Sequence, residues 1–246
     1  MARRFLADDS ESLNAATSTA LESVSTAFSF TCWILPDTFD GNGNSGVFLK
    51  LLNAFANSYG LRRSASGDRL YNAVINVGGL QATDDSSELS DSVYTGVTGR
   101  WTSGSAFDMR FYDTSRTLIE TVSTSGTVTG SISHGSGGIA IGEDNFGHWS
   151  GRAEHVKFTN TYEAVADLLD ELFTEADQTA WVFHTPLDAG DSPEPNVSGE
   201  DPTSLSLTGT PEFVDGPDVF TAAAAFPFLA PHLNPAFMAR LRARHF

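Results

Sequence analysis

A chain of 246 residues, 40% hydrophobic and 18% charged, can bury a large core but is poor material for long solvated helices. Its formal charge of −17 argues against docking on nucleic acid phosphates or anionic lipid headgroups. One cysteine, Cys32, excludes an internal disulfide and a cysteine-based zinc site, and in an apolar strand pattern it reads as a core thiol.

The N-terminal residues carry Arg3 and Arg4 with no apolar stretch behind them, so a signal peptide is not expected there. The first clear strand is 28–35. Phe28, Phe30, Cys32 and Ile34 alternate onto one face, while Trp33 and Leu35 lie on the other, which must also be covered. A Gly/Asn-rich loop, 40–46, leads to a strand at 47–52. Segments 59–63 and 70–77 read as a hairpin pair, as do 107–112 and 117–122. A short buried strand is expected at 138–142. Segment 151–158 alternates more weakly, with Ala153, His155 and Lys157 on one side and Arg152, Glu154, Val156 and Phe158 on the other.

Helical spacing appears only after that, first at 162–173 through Val165, Leu168, Leu169 and Leu172. Thr174 and Asp177 resemble the start of a second helix. Strand-like stretches at 180–184 and 205–209 flank an acidic, proline-bearing loop, 188–202. About ten strands without regular intervening helices imply an all-β fold of two packed antiparallel sheets, with one or two short helices. The expected division is a sandwich domain at 1–218 and a C-terminal tail at 219–246. The apolar run 219–230 contains Pro227 and is too short to span a bilayer.

Charge is unevenly placed. Between Phe158 and Ala239 there is no lysine or arginine, and then Arg240, Arg242 and Arg244 occur together. Residues 236–246 can form a basic amphipathic helix with Phe237 and Leu241 on one stripe. Phe237, Arg240, Leu241, Arg242, Arg244 and Phe246 are therefore the expected docking residues for a partner or a neighbouring copy.

Two stretches resemble laminin-G-like, concanavalin A-like jelly-roll domains: FSFTCWILPD at 28–37, and the hairpin 142–158 that turns from an Ile-Gly strand into a Phe-x-Gly pattern. A third, running from Trp181 through Pro217, is similar to segments that follow such domains in tailed-phage virion proteins. The resemblance implies a structural protein on a capsid or tail surface, made in the host cytoplasm, with other virion proteins and further copies of itself as partners. Fold does not fix task, because this architecture also serves lectins and glucanases.

Glycoside cleavage needs two carboxylates across one cleft, and the Glu-x-Asp-x-x-Glu strand of the related glucanases is missing. Neither a Gly-x-Ser-x-Gly elbow, a His-Glu-x-x-His motif nor a phosphate loop occurs. No catalytic residues and no obligatory cofactor are expected. For calcium, the 40–46 loop lacks the glycine bend and closing glutamate, leaving Asp84, Asp85 and Asp144 as weak candidates. For a cell-surface glycan, Asn145, His148 and Trp149 form the best candidate set, although Trp149 in a hairpin also suits core packing.

Overall fold

The computed structural model describes residues 2–6, 10–37, 45–53, 56–66, 69–91, 93–143, 147–174, 181–187, 197–198, 205–217 and 219. In chain order the elements are β1 (Ala2–Phe5), β2 (Ser12–Ala15), α1 (Thr19–Glu22), β3 (Ala27–Pro36), β4 (Ser45–Asn53), β5 (Ala56–Arg63), β6 (Tyr71–Asn76) and β7 (Leu80–Ala82). There follow β8 (Thr95–Thr102), β9 (Asp108–Tyr112), β10 (Leu118–Ser123), β11 (Ile139–Ile141), β12 (Gly151–Thr159), α2 (Val165–Leu172), β13 (Phe183–Thr185), β14 (Ser206–Thr208) and β15 (Glu212–Val214).

They form two antiparallel sheets packed face to face, the expected β-sandwich. One sheet has the order β10-β9-β8-β3-β12-β1-β15, with β13 also paired to β12; the other runs β14-β2-β11-β4-β5-β6-β7. The first and last described strands meet in the first sheet, where β1 lies between β12 and β15. Strands therefore run from Ala2 to Val214. Residues 220–246, including all the expected docking residues, lie outside the described residues, and so do Asp144 and Asn145.

The space between the sheets is apolar and rich in aromatics. Phe28, Phe30, Cys32 and Ile34 all point there, as their alternation demands. Phe158 sits at the centre, stacked on Phe183 at 4.9 Å and on Phe48 at 6.1 Å, with Phe28 and Tyr59 at its edges. β8 passes beside this cluster as Thr-Gly-Val-Thr-Gly-Arg-Trp-Thr. A Cβ on Gly99 would collide with the Phe30 ring, and one on Gly96 with Leu172 and Trp33, so the glycines make room for large neighbours on both faces.

The alternation in β12 does not continue through the strand. His155 takes a left-handed backbone, φ 48°, and the register against β3 shifts between Glu154 and Lys157. This bulge puts Ala153, Val156 and Phe158 in the core together, which corrects the facing expected for 151–158. At the same point the neighbour of β12 changes from β1 to β13, and His155 N–H bonds the carbonyl of Pro186 at 3.1 Å. Thr174 ends the preceding helix. Its hydroxyl donates to the Asp170 carbonyl and closes α2, while the rest of the expected helix start, with Asp177, lies outside the described residues.

Candidate functional site

The expected glycan set does not form as drawn. Gly142, at φ 87° where a side chain would strike the Phe5 ring, turns the chain, and Glu143 bridges back to His148. His148 is half-buried, with Nδ1 3.5 Å from the Glu143 carboxylate. Trp149 then enters the core. It is 0% exposed, its ring centroid lies 6.1 Å from that of Phe5, and Nε1 donates to the Tyr71 hydroxyl at 3.0 Å. Burial raises the Tyr71 pKa, so that hydroxyl stays neutral and able to accept. A buried indole with its N–H already paired presents no face to a sugar, so Trp149 is withdrawn from the site.

Of the described calcium candidates, Asp85 is engaged in another way and Asp84 faces solvent. Asp85 accepts from Ser64 Oγ at 2.8 Å and Asn72 Nδ2 at 2.7 Å. Burial alone would raise its pKa, but these bonds, one from Ser66 and the nearby Arg62 charge outweigh it, so the group is held below the usual carboxylate range. Asp84 is exposed, with its N–H on the Ser123 carbonyl. Among the described residues no three acidic, histidine or cysteine side chains gather in a way that could hold a metal ion.

What the sequence did not announce lies on the outer face of the first sheet. Here α2 covers the strands, with Gly216 against Glu154 and Val219 beside the Trp33 group. Trp33 packs on Tyr112 and Leu172, with Phe173 and Val219 beside them, and its Nε1 donates to the Leu172 carbonyl at 2.7 Å. Lys157 is fully buried, and Nζ donates to the backbone carbonyls of Glu171 (2.9 Å) and Thr174 (2.7 Å) at the end of α2. The last turn of α2 has no basic residue of its own, so β12 supplies the charge that the helix C-terminus favours. Glu154, His155 and His184 are buried alongside, with His155 Nδ1 3.3 Å from His184 Nε2. Burial first, and the Lys157 charge second, push the His155 pKa down to about 2 and that of His184 to about 3. Both rings are therefore neutral and polar, and one can donate to the other.

The chain's other lysine is also internal. Lys50 Nζ bonds the carbonyls of Leu51 at 3.1 Å and of Gly135 and Gly137, tying segment 135–137 to β4, and burial lowers its pKa. Nearby, His134 Nδ1 lies 3.5 Å from the Ser58 hydroxyl, but that hydroxyl donates to the Ser133 carbonyl. With its proton directed to the backbone, Ser58 is not set up as a nucleophile.

No family model and no curated protein matches this chain. Solved structures do share its fold. Tailspike protein 2 from an Escherichia coli O157:H7 bacteriophage matches over 75% of this chain at 14% identity with a TM-score of 0.51. A heptameric SAP-like pentraxin from Limulus polyphemus matches over 85% at 14% identity with a TM-score of 0.50. The match covers 88% of the pentraxin chain but only 26% of the tailspike chain, so this protein spans about a quarter of the tailspike's length. At these identities the likeness shows the sandwich architecture.

Proposed function

We propose that this chain is a non-catalytic structural protein of a virion, carried on a capsid or tail surface with a laminin-G-like sandwich displayed outward. The observation that carries the reading is the fold shared with a tailspike over 75% of the chain. The sequence similarity to virion segments at 181–217 supports it independently. So does the use made of the internal charges: Lys50 and Lys157 hold backbone carbonyls together, a structural task. The partners are other virion proteins and further copies of the chain, reached through the basic residues 236–246. Deleting residues 236–246 should leave a folded sandwich that no longer copurifies with particles, and normal incorporation of the shortened chain would overturn the docking role. Hydrolysis of a polysaccharide that disappears when one carboxylate is neutralised would overturn the non-catalytic reading.

A second reading, glycan attachment to a host surface, is favoured by one observation. Tyr162 remains 43% exposed on the outer face of the first sheet, with Arg100 against its ring at 4.7 Å. An aromatic platform beside a fixed charge suits a sugar.

A further inference from the structure

The structure points to an anion site on the outer face of the first sheet, and we propose that it takes the carboxylate of an acidic sugar, a uronic or nonulosonic acid. The inference rests on the glycan-attachment reading and supplies its site and ligand class. Three side chains of two neighbouring strands stand together there. Arg100 of β8 is opposite Asp108 of β9, and Arg110 follows Asp108 on the same face. Arg100 Nε lies 3.2 Å from Asp108 Oδ1, and Arg110 Nε lies 3.3 Å from Asp108 Oδ2. Two guanidinium groups thus share one carboxylate and leave one positive charge over.

Elsewhere on the described surface, arginines and acids are matched differently. Arg4 meets Asp37 and Glu212, Arg69 meets Glu88 and Asp91, and Arg116 meets Asp170. Other acids of this region are turned to other groups, and Asp113 accepts from the N–H groups of Ser115 and Thr117. The Glu120 carboxylate accepts from the N–H and hydroxyl of Ser87, and the Glu163 carboxylate from the Thr161 hydroxyl. Arg100 also gives Nη1 to the Glu163 carbonyl at 3.2 Å and lies against Tyr162, so its head group is held in place before any ligand arrives. Both arginines bond Asp108 through Nε.

The Arg100 and Arg110 side chains keep 20% and 28% exposure, enough for a ligand to reach them. A planar fork of N–H donors suits a carboxylate better than a neutral hydroxyl. Thr121, exposed and opposite Arg110 on β10, adds a hydroxyl to the rim, and Tyr162 adds an apolar surface for a sugar ring. Charges more than a Debye length of about 8 Å away are largely screened, whereas the guanidinium contacts act within a few ångströms.

The test titrates the full chain with 3′-sialyllactose, tri-galacturonic acid, lactose and 3′-sulfolactose by ligand-observed NMR, for the wild type, Arg110→Gln, Arg100→Gln and Tyr162→Ala. The expected result is that a carboxylated saccharide binds and lactose does not. Arg110→Gln should weaken binding about tenfold or more with the melting temperature nearly unchanged. Should Arg100→Gln unfold the protein, Arg110→Gln decides alone. Equal binding of lactose, binding of the sulfated sugar only, or undiminished binding by Arg110→Gln would each overturn the proposal. A chain that copurifies with particles yet binds neither acidic sugar fails this inference and leaves the structural reading standing.

Discussion

The two faces of the first sheet are buried by different means. The inner face is closed by another sheet, through apolar side chains that alternate along each strand. The outer face is covered by α2, with Gly216 and Val219 beside it, and Lys157, Glu154, His155 and His184 lie buried on it. β3 shows the contrast within one strand: Phe28, Phe30, Cys32 and Ile34 look inward, while Ser29, Thr31 and Trp33 look outward, all of them buried. An apolar face can be covered by anything greasy. A polar one can be covered only by groups that meet each donor and acceptor, so its lid is specific.

The largest effect is expected on the inner face. Phe158→Ala removes a ring shared by both sheets and should cost about 3–5 kcal/mol, read as a lowered denaturant midpoint. Lys157→Ala strikes the outer face, leaving the α2 carbonyls of Glu171 and Thr174 without their donor. About 2–4 kcal/mol is the expected loss, with faster amide exchange confined to α2 and β13. A smaller inner-face loss with a larger outer-face one would reverse the comparison.

The next effect separates the faces by pH. His155 and His184 have folded pKa values below that of a free imidazole, so the unfolded chain binds more protons than the folded one as pH drops. Their stabilising contribution is complete above about pH 6.5 and declines as pH falls toward 3, by about 1.4 kcal/mol per pH unit for each ring. Urea titrations from pH 7 to pH 4.5 should show this decline, and His184→Gln should flatten it. A pH-independent midpoint would contradict the buried neutral pair. The smallest effect is Trp149→Phe, which keeps the ring in the core and removes its bond to Tyr71 at a cost of about 1 kcal/mol. Saccharide binding should not change, because this indole is an inner-face residue.

The same contrast explains what could be read in advance. Period-two alternation marked β3, whose inner face is greasy whatever covers it, and hairpin patterning marked β5, β6, β9 and β10. β8 carried no such mark: Gly96 and Gly99 interrupt its pattern, and they are there because Trp33 and Phe30 need the room. β1 was hidden by its two arginines, although Arg3 is buried with Nη1 on the Pro211 carbonyl, a partner more than 200 residues away. The bulge at His155 scrambled the facing of β12, since one left-handed residue exchanges inside for outside. In the candidate site, Trp149 and His148 were correctly seen as a hairpin, but the Arg100–Asp108–Arg110 group needs the β8–β9 pairing before its members become neighbours.

Side-chain NMR of His155 and His184 tests the closed outer face most directly. The account predicts that both imidazoles remain neutral from pH 7 down to about pH 4 while the chain stays folded. Titration of both rings near the ordinary histidine value of about 6.5, with the fold intact, would mean that water reaches them and that the lid over β12 is open.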